Sequence, residues 1–221
     1  MKHSRIIIYI LAAVIVLPSI VAAQAARNTK ENLQNEEQII MDKVRLERDR
    51  QEMQEFEGYV ASLDAARVTR STEELKMWNG LARIAMHREY LQAQGRATVS
   101  SREVRQSTRE LKGERREAHR TGDARDHAQK RDDRRDLRDD KRDRKAAASR
   151  ARRMGVILTE TKELQSAMEA GDGTAFVKGR QLLYEFLHIM RINLRDTEME
   201  LAEDRSERRE DRRERRTDGN K

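Results

Sequence analysis

The chain has 221 residues, of which 47 are Lys or Arg and 40 are Asp or Glu, for a net charge of +7 and a charged fraction of 39%. There is one proline and no cysteine, which excludes disulfide staples, thiolate metal sites, a catalytic thiol and a cysteine-linked lipid anchor. With no covalent cross-link to draw on, stability must come from packing alone.

Lys2 and Arg5 form a basic start, Ile6 to Leu17 is an unbroken apolar run, and Pro18-Ser19 breaks it before a stretch of small residues. Ala23-Gln24-Ala25 fits the small-x-small cleavage pattern of a secretory signal, with cutting before Ala26. The run is short against the roughly 20 residues that cross a bilayer. Residues 1–25 therefore read as a signal peptide and the protein as periplasmic or secreted; an uncleaved single N-terminal membrane anchor is the alternative.

Pro18 is the sole proline and apolar residues recur at helical spacing after it, so the rest reads as all-α. Residues 26–101 are expected to form an N-terminal helical hairpin. Its first helix, over about 30–63, carries Ile39, Ile40, Val44, Leu46, Met53, Phe56, Val60 and Leu63. Ser71-Thr72-Glu73-Glu74 is a capping box that starts a second helix. Met77, Trp78, Leu81, Ile84, Ala85 and Leu91 are expected on its inner side, and Gly95 at its end. A further capping box, Ser100-Ser101-Arg102-Glu103, opens the next segment.

Residues 102–153 hold 20 basic and 12 acidic side chains, and from 112 to 153 the one large apolar residue is Leu137. Such a segment has no core of its own and is either solvated helix or disordered. As a helix, it sets an acidic stripe (Asp132, Asp136, Asp139, Asp140, Asp143) beside a basic one (Arg131, Arg134, Arg135, Arg138, Lys141, Arg142, Lys145). Residues 203–221 repeat the arrangement, with Arg208, Arg209, Arg212 and Arg213 against Glu207, Glu210, Asp211 and Glu214. The stripes could pair with each other, with a protein partner or with another copy, making a homo-oligomer. The same composition in a plain polyampholyte would only keep a linker soluble.

Between the two charged segments, residues 154–202 read as a C-terminal helical hairpin. Val156, Ile157, Leu158, Leu164 and Met168 lead to a Gly171-Asp172-Gly173-Thr174 turn, with Thr174 as N-cap. A wide apolar face from Phe176 to Leu201 follows. At an offset of 105 residues, Ala61 to Ala65 lies over Ser166 to Ala170, and Trp78 over Leu183. The expected fold is an elongated all-α bundle of two helical hairpins, with long charged extensions that are helical or partly disordered. Phe56, Trp78, Leu81, Phe176, Leu183, Phe186 and Met190 are expected to hold its core.

Chemistry-bearing motifs are weak. Glu185 and His188 have the Glu-x-x-His spacing of bundle metal ligands, but such sites need a second copy, and Ile84 stands where His87 would need an acid. His119, Asp123 and His127 are four apart, with Thr121-Gly122 between them and no apolar shell. No cofactor is expected. The scarcity of core residues argues against an enzyme, and no Gly-rich phosphate loop or nucleophile elbow is present. Nucleic acid is an unfavourable partner, because the 12 acids repel phosphates and no aromatic lies between Tyr90 and Phe176 to stack on bases. An anionic envelope surface is the better polyanion. The expectation is an exported, non-enzymatic interaction protein (scaffold, adaptor or chaperone-like binder); a polyanion or membrane-surface module is the alternative, and a metal-binding bundle the third reading.

Overall fold

The structure, a computed structural model, describes residues 39–121 and 124–218. The expected signal peptide lies outside them. Among the described residues there are four helices and no strand: α1 over 39–69, α2 (Thr72–Thr121), α3 (Ala124–Glu169) and α4 (Gly173–Asp218). No helix among these residues is long and apolar enough to cross a membrane. The helices contribute to two compact units, residues 50–193 and, in the described part of the other, 39–49 with 194–218.

Within residues 50–193 the helices form an up-down-up-down four-helix bundle. Stacking of Tyr59 on Trp78 (6.1 Å between ring centroids) and an Arg88–Glu55 pair (2.8 Å) join α1 to α2. Asn79 Nδ2 donates to Glu169 (3.4 Å), and the Tyr90 ring lies against Gly155, joining α2 to α3. Arg153 reaches Glu185 and Met168 lies against Gly179, joining α3 to α4. Phe56 meets Phe186 at 5.5 Å and Arg180 meets Asp64 at 2.8 Å, closing the ring from α4 back to α1. In every pair, residue numbers rise along one helix as they fall along the other, so all four contacts are antiparallel.

Both hairpin turns have one geometry. Ser71 N–H bonds the Ala66 carbonyl (3.1 Å) and Arg70 N–H the Arg67 carbonyl (3.3 Å), with Arg70 at φ 57°. Asp172 N–H bonds Ala167 (2.9 Å) and Gly171 N–H bonds Met168 (3.0 Å), with Gly171 at φ 82°. Each is the paired C-terminal bonding that satisfies the last carbonyls of a helix through a left-handed residue. The next residue in each case caps the following helix. Ser71 Oγ accepts from Glu74 N–H (3.3 Å), as the capping box predicts, and Asp172 Oδ1 accepts from Ala175 N–H (2.8 Å).

Thr174 is therefore not the N-cap; Asp172, two residues earlier, takes that place because its carboxylate reaches the orphan amide. The turns also correct the register of the internal similarity. Arg70 matches Gly171 and Ser71 matches Asp172, a spacing of 101. At that spacing buried Phe56, Leu75, Ala82, Ala85 and Met86 lie over buried Ile157, Phe176, Leu183, Phe186 and Leu187. The 105-residue offset would set the cap Ser71 over the buried Phe176.

The core of 50–193 includes Phe56, Phe176, Leu183, Phe186 and Met190 as expected. Trp78 and Leu81 are only half-buried. The buried line of α2 is instead Leu75, Asn79, Ala82, Met86, Glu89 and Ala93, alternately four and three apart, a heptad seam carrying two polar residues. Met77, Ile84 and Leu91, expected inside, are exposed. Helix α1 runs on to 69, past the expected 63, because Ala66 continues its buried face to the turn.

Gly95 does not end α2, and Ser100 does not open a new helix. The hydroxyls of Ser100 and Ser101 turn back onto the carbonyls of Arg96 (3.2 Å) and Ala97 (2.8 Å), the mid-helix habit of serine. The expected limits at 101/102, 153/154 and 202/203 thus fall inside α2, α3 and α4. In the other unit, Ile39, Leu46 and Leu201 are buried together with half-buried Leu194 beside them. Ile40 and Val44 are exposed there. Asp42 pairs with Arg45 (3.3 Å) and Asp49 with Arg48 (2.9 Å).

Candidate interaction surface

The charged segment is helical wherever it is described. The second half of α2 and the first half of α3 are joined by a small apolar seam of Val104, Leu111 and Leu137. The lone large apolar residue of 112–153 is thus spent on holding two charged helices together. Beside the seam, the Ser107 hydroxyl donates to the Asp140 carboxylate across the helix pair. Among the described residues this hairpin buries three apolar side chains where the bundle core buries more than twenty, so it opens more readily than that core.

Arg131, Arg134, Arg135, Arg138, Lys141 and Arg142 are all exposed on this stretch of α3. The stripes are not wholly reserved for a partner. Arg142 pairs within its own helix with Asp139 (3.4 Å, three residues back) and Asp143 (3.7 Å). Such exposed pairs contribute about 0.2–1 kcal/mol each and exchange readily. In the tail, α4 stays helical to Asp218. Arg209 is exposed, its guanidinium donating to the Arg205 carbonyl at 3.2 Å. The side chains of Arg208, Arg212 and Arg213 lie outside the described residues.

The Glu-x-x-His pair has another use. Both oxygens of Glu185 are held by Arg153, with Nε donating to Oε1 and Nη2 to Oε2, each at 2.6 Å. These bonds hold the Glu185 carboxyl below the ordinary glutamate range; partial burial opposes the shift, and the charges of Arg153 and His188 add to it. Arg153 is raised in return, chiefly by the same bonds. His188 is exposed. A bidentate arginine occupies the lone pairs a metal would need. Among the described residues, no group of three or more acids or histidines is placed to hold a metal ion; the side chains of His119, Asp123 and His127 lie outside them.

Two features had no signal in the sequence. Arg67 Nη1 donates to the Gly171 carbonyl at 2.6 Å and its guanidinium lies 5.5 Å from the centre of the Phe176 ring, so one side chain of the first hairpin ties down the turn of the second. At Gly179 an added Cβ would occupy the space of the Met168 sulfur, so the glycine admits α3 close to α4. The first joins residues 104 positions apart on different hairpins, and the second depends on how closely the two arms of one hairpin approach. Comparison of the chain with family models, with curated proteins and with solved structures finds no match in any of the three.

Proposed function

We propose that this protein is an exported, non-enzymatic interaction protein, a scaffold, adaptor or chaperone-like binder, that engages a protein partner through its charged helical hairpin. The observation supporting this reading is the exposure of six bases on the first half of α3, where the one large apolar residue, Leu137, is buried in the seam. A helix pair held by three apolar residues presents charge over nearly all of its outer surface and binds by many weak, additive contacts. The bundle core formed by 50–93 and 154–190 serves as the base from which the hairpin is presented.

Capture of the partner on immobilised full-length chain, from the native envelope at low and at half-molar salt, tests this. Binding should fall steeply with salt, since the screening length is about 10 Å at 0.1 M and shrinks from there. The combined substitutions Arg131→Glu, Arg134→Glu, Arg138→Glu and Arg142→Glu should abolish it while leaving helicity intact. Capture that ignores both salt and charge reversal would refute the reading. Equal binding to anionic lipid vesicles without any protein partner would support the surface-binding alternative.

A further inference from the structure

The first half of α2 carries one outward line without a charged residue, on a chain that is 39% charged. Opposite its buried seam, the helix carries Met77, Gly80, Ile84, His87, Leu91, Gly95 and Thr98, with no acid, lysine or arginine on that line over six turns. Met77 is 49% exposed, Ile84 66% and Leu91 52%. Single exposed leucines are ordinary, but three large apolar side chains at seven-residue intervals make the spacing of a helix–helix seam. The Thr98 hydroxyl is turned back onto the Gln94 carbonyl (2.9 Å) and asks for no outside partner.

The two glycines of the line point the same way. Glycine inside a helix costs about 1 kcal/mol relative to alanine. Nothing among the described residues calls for it here, since a Cβ at Gly80 or Gly95 would meet none of their atoms within 4 Å. Gly58 and Gly113 are equally open, but neither lies on a line of large apolar side chains at seven-residue intervals. A bare backbone on an apolar stripe allows a second helix to approach closely.

We propose that this line is covered by a second copy of the chain, with α2 lying antiparallel against α2 of the partner subunit. A two-fold contact must be self-complementary, residue i meeting j and j meeting i. In the register that sets Ile84 against Leu91 of the partner subunit, Gly80 comes opposite Gly95 of the partner subunit. Exposed Glu73 then comes opposite Arg102 of the partner subunit, so the seam is closed at both ends by opposite charges. At its centre Arg88 faces His87 of the partner subunit, and the charge of Arg88 is already met by Glu52 (3.1 Å) and Glu55 (2.8 Å) of its own chain. One register thus matches apolar to apolar, glycine to glycine and acid to base. Apart from Arg102 at its edge, the contact uses none of the charged hairpin, and salt separates the two: burial of apolar surface survives half-molar salt, ion pairing does not.

Sedimentation equilibrium of the purified full-length chain in half-molar salt should report a dimer. The double variant Ile84→Glu with Leu91→Glu should be monomeric there, with unchanged helicity because both positions face outward, and with a Tm that no longer depends on chain concentration. The absence of cysteine allows a direct test of register. When the Ile84→Cys chain is mixed with the Leu91→Cys chain and mildly oxidised, the mixed disulfide should outnumber either like-with-like product. A monomeric wild type in half-molar salt would overturn the proposal, as would a dimer indifferent to the double variant, or a preference for Ile84→Cys with itself. Binding of a monomeric chain to neutral lipid vesicles, lost in the double variant, would give the stripe to a membrane surface instead.

Discussion

Replacing Phe186 and Trp78 separately by alanine distinguishes the core found here from the core an amphipathic pattern suggests. Phe186 has no exposed surface and its ring packs on Phe56 at 5.5 Å with a 51° tilt. Truncating a buried phenylalanine removes transfer energy and leaves a cavity that neighbours fill only in part, costing about 3–5 kcal/mol. For a domain of 150–250 residues each kcal/mol lowers Tm by about 2–4 °C, so a loss near 4 kcal/mol should lower it by about 8–16 °C. Trp78 is half-buried at the margin of the core, packed on Tyr59. Its removal opens a surface groove that water fills, so the cavity cost is largely absent and the loss should be about 1–2 kcal/mol. Thermal unfolding followed by far-UV circular dichroism, on both variants and the wild type in one buffer, measures the difference. Equal losses at the two positions, or a loss under about 1 kcal/mol for Phe186→Ala, would refute the packing argued above.

The left-handed turn residues give a prediction of opposite sign: Arg70→Gly, at φ 57°, should stabilise the protein by up to about 1 kcal/mol, while Gly171→Ala, at φ 82°, should destabilise it by about 1–2 kcal/mol, both read from denaturant midpoints. Leu137→Asp should open the charged hairpin without unfolding the bundle. Hydrogen exchange should speed up over 102–145 and stay slow over 50–93 and 154–190, and uniform acceleration across the chain would contradict a separate seam. Glu185 titrates below its ordinary range because Arg153 holds it, so the pair stabilises the fold fully above the unfolded carboxyl value of about 4.3 and loses its effect as pH falls through the depressed folded value. With both side chains about 40% exposed (39% and 41%), the contribution is about 0.2–1 kcal/mol, and Glu185→Gln should flatten that part of the acid limb of the stability profile.

The sequence by itself determined that the chain is helical and where one helix begins. Periodicity of apolar residues depends on neighbours three and four apart, and the Ser71 cap depends on an amide three residues away; both are local. It also determined the wide buried face of α4, because Phe176, Leu183, Phe186 and Met190 are large and apolar enough to leave no alternative. Tertiary structure decided which face of α2 is inside. Two apolar lines compete on that helix, and the one with Met77, Ile84 and Leu91 is the more hydrophobic. The line that is buried holds Asn79 and Glu89, accepted because Asn79 meets Glu169 of α3 and Glu89 lies 3.7 Å from Arg96. Tertiary contact also decided that α2 passes through Gly95 and that the charged segment is helix. A glycine and a run of acids and bases are weak local formers, and what holds them is the antiparallel neighbour, through Tyr90 against Gly155 and Leu137 against Val104 and Leu111. Arg67 marks the same limit, since its hydrogen bond to the Gly171 carbonyl joins residues 104 positions apart and exists only once both hairpins have docked.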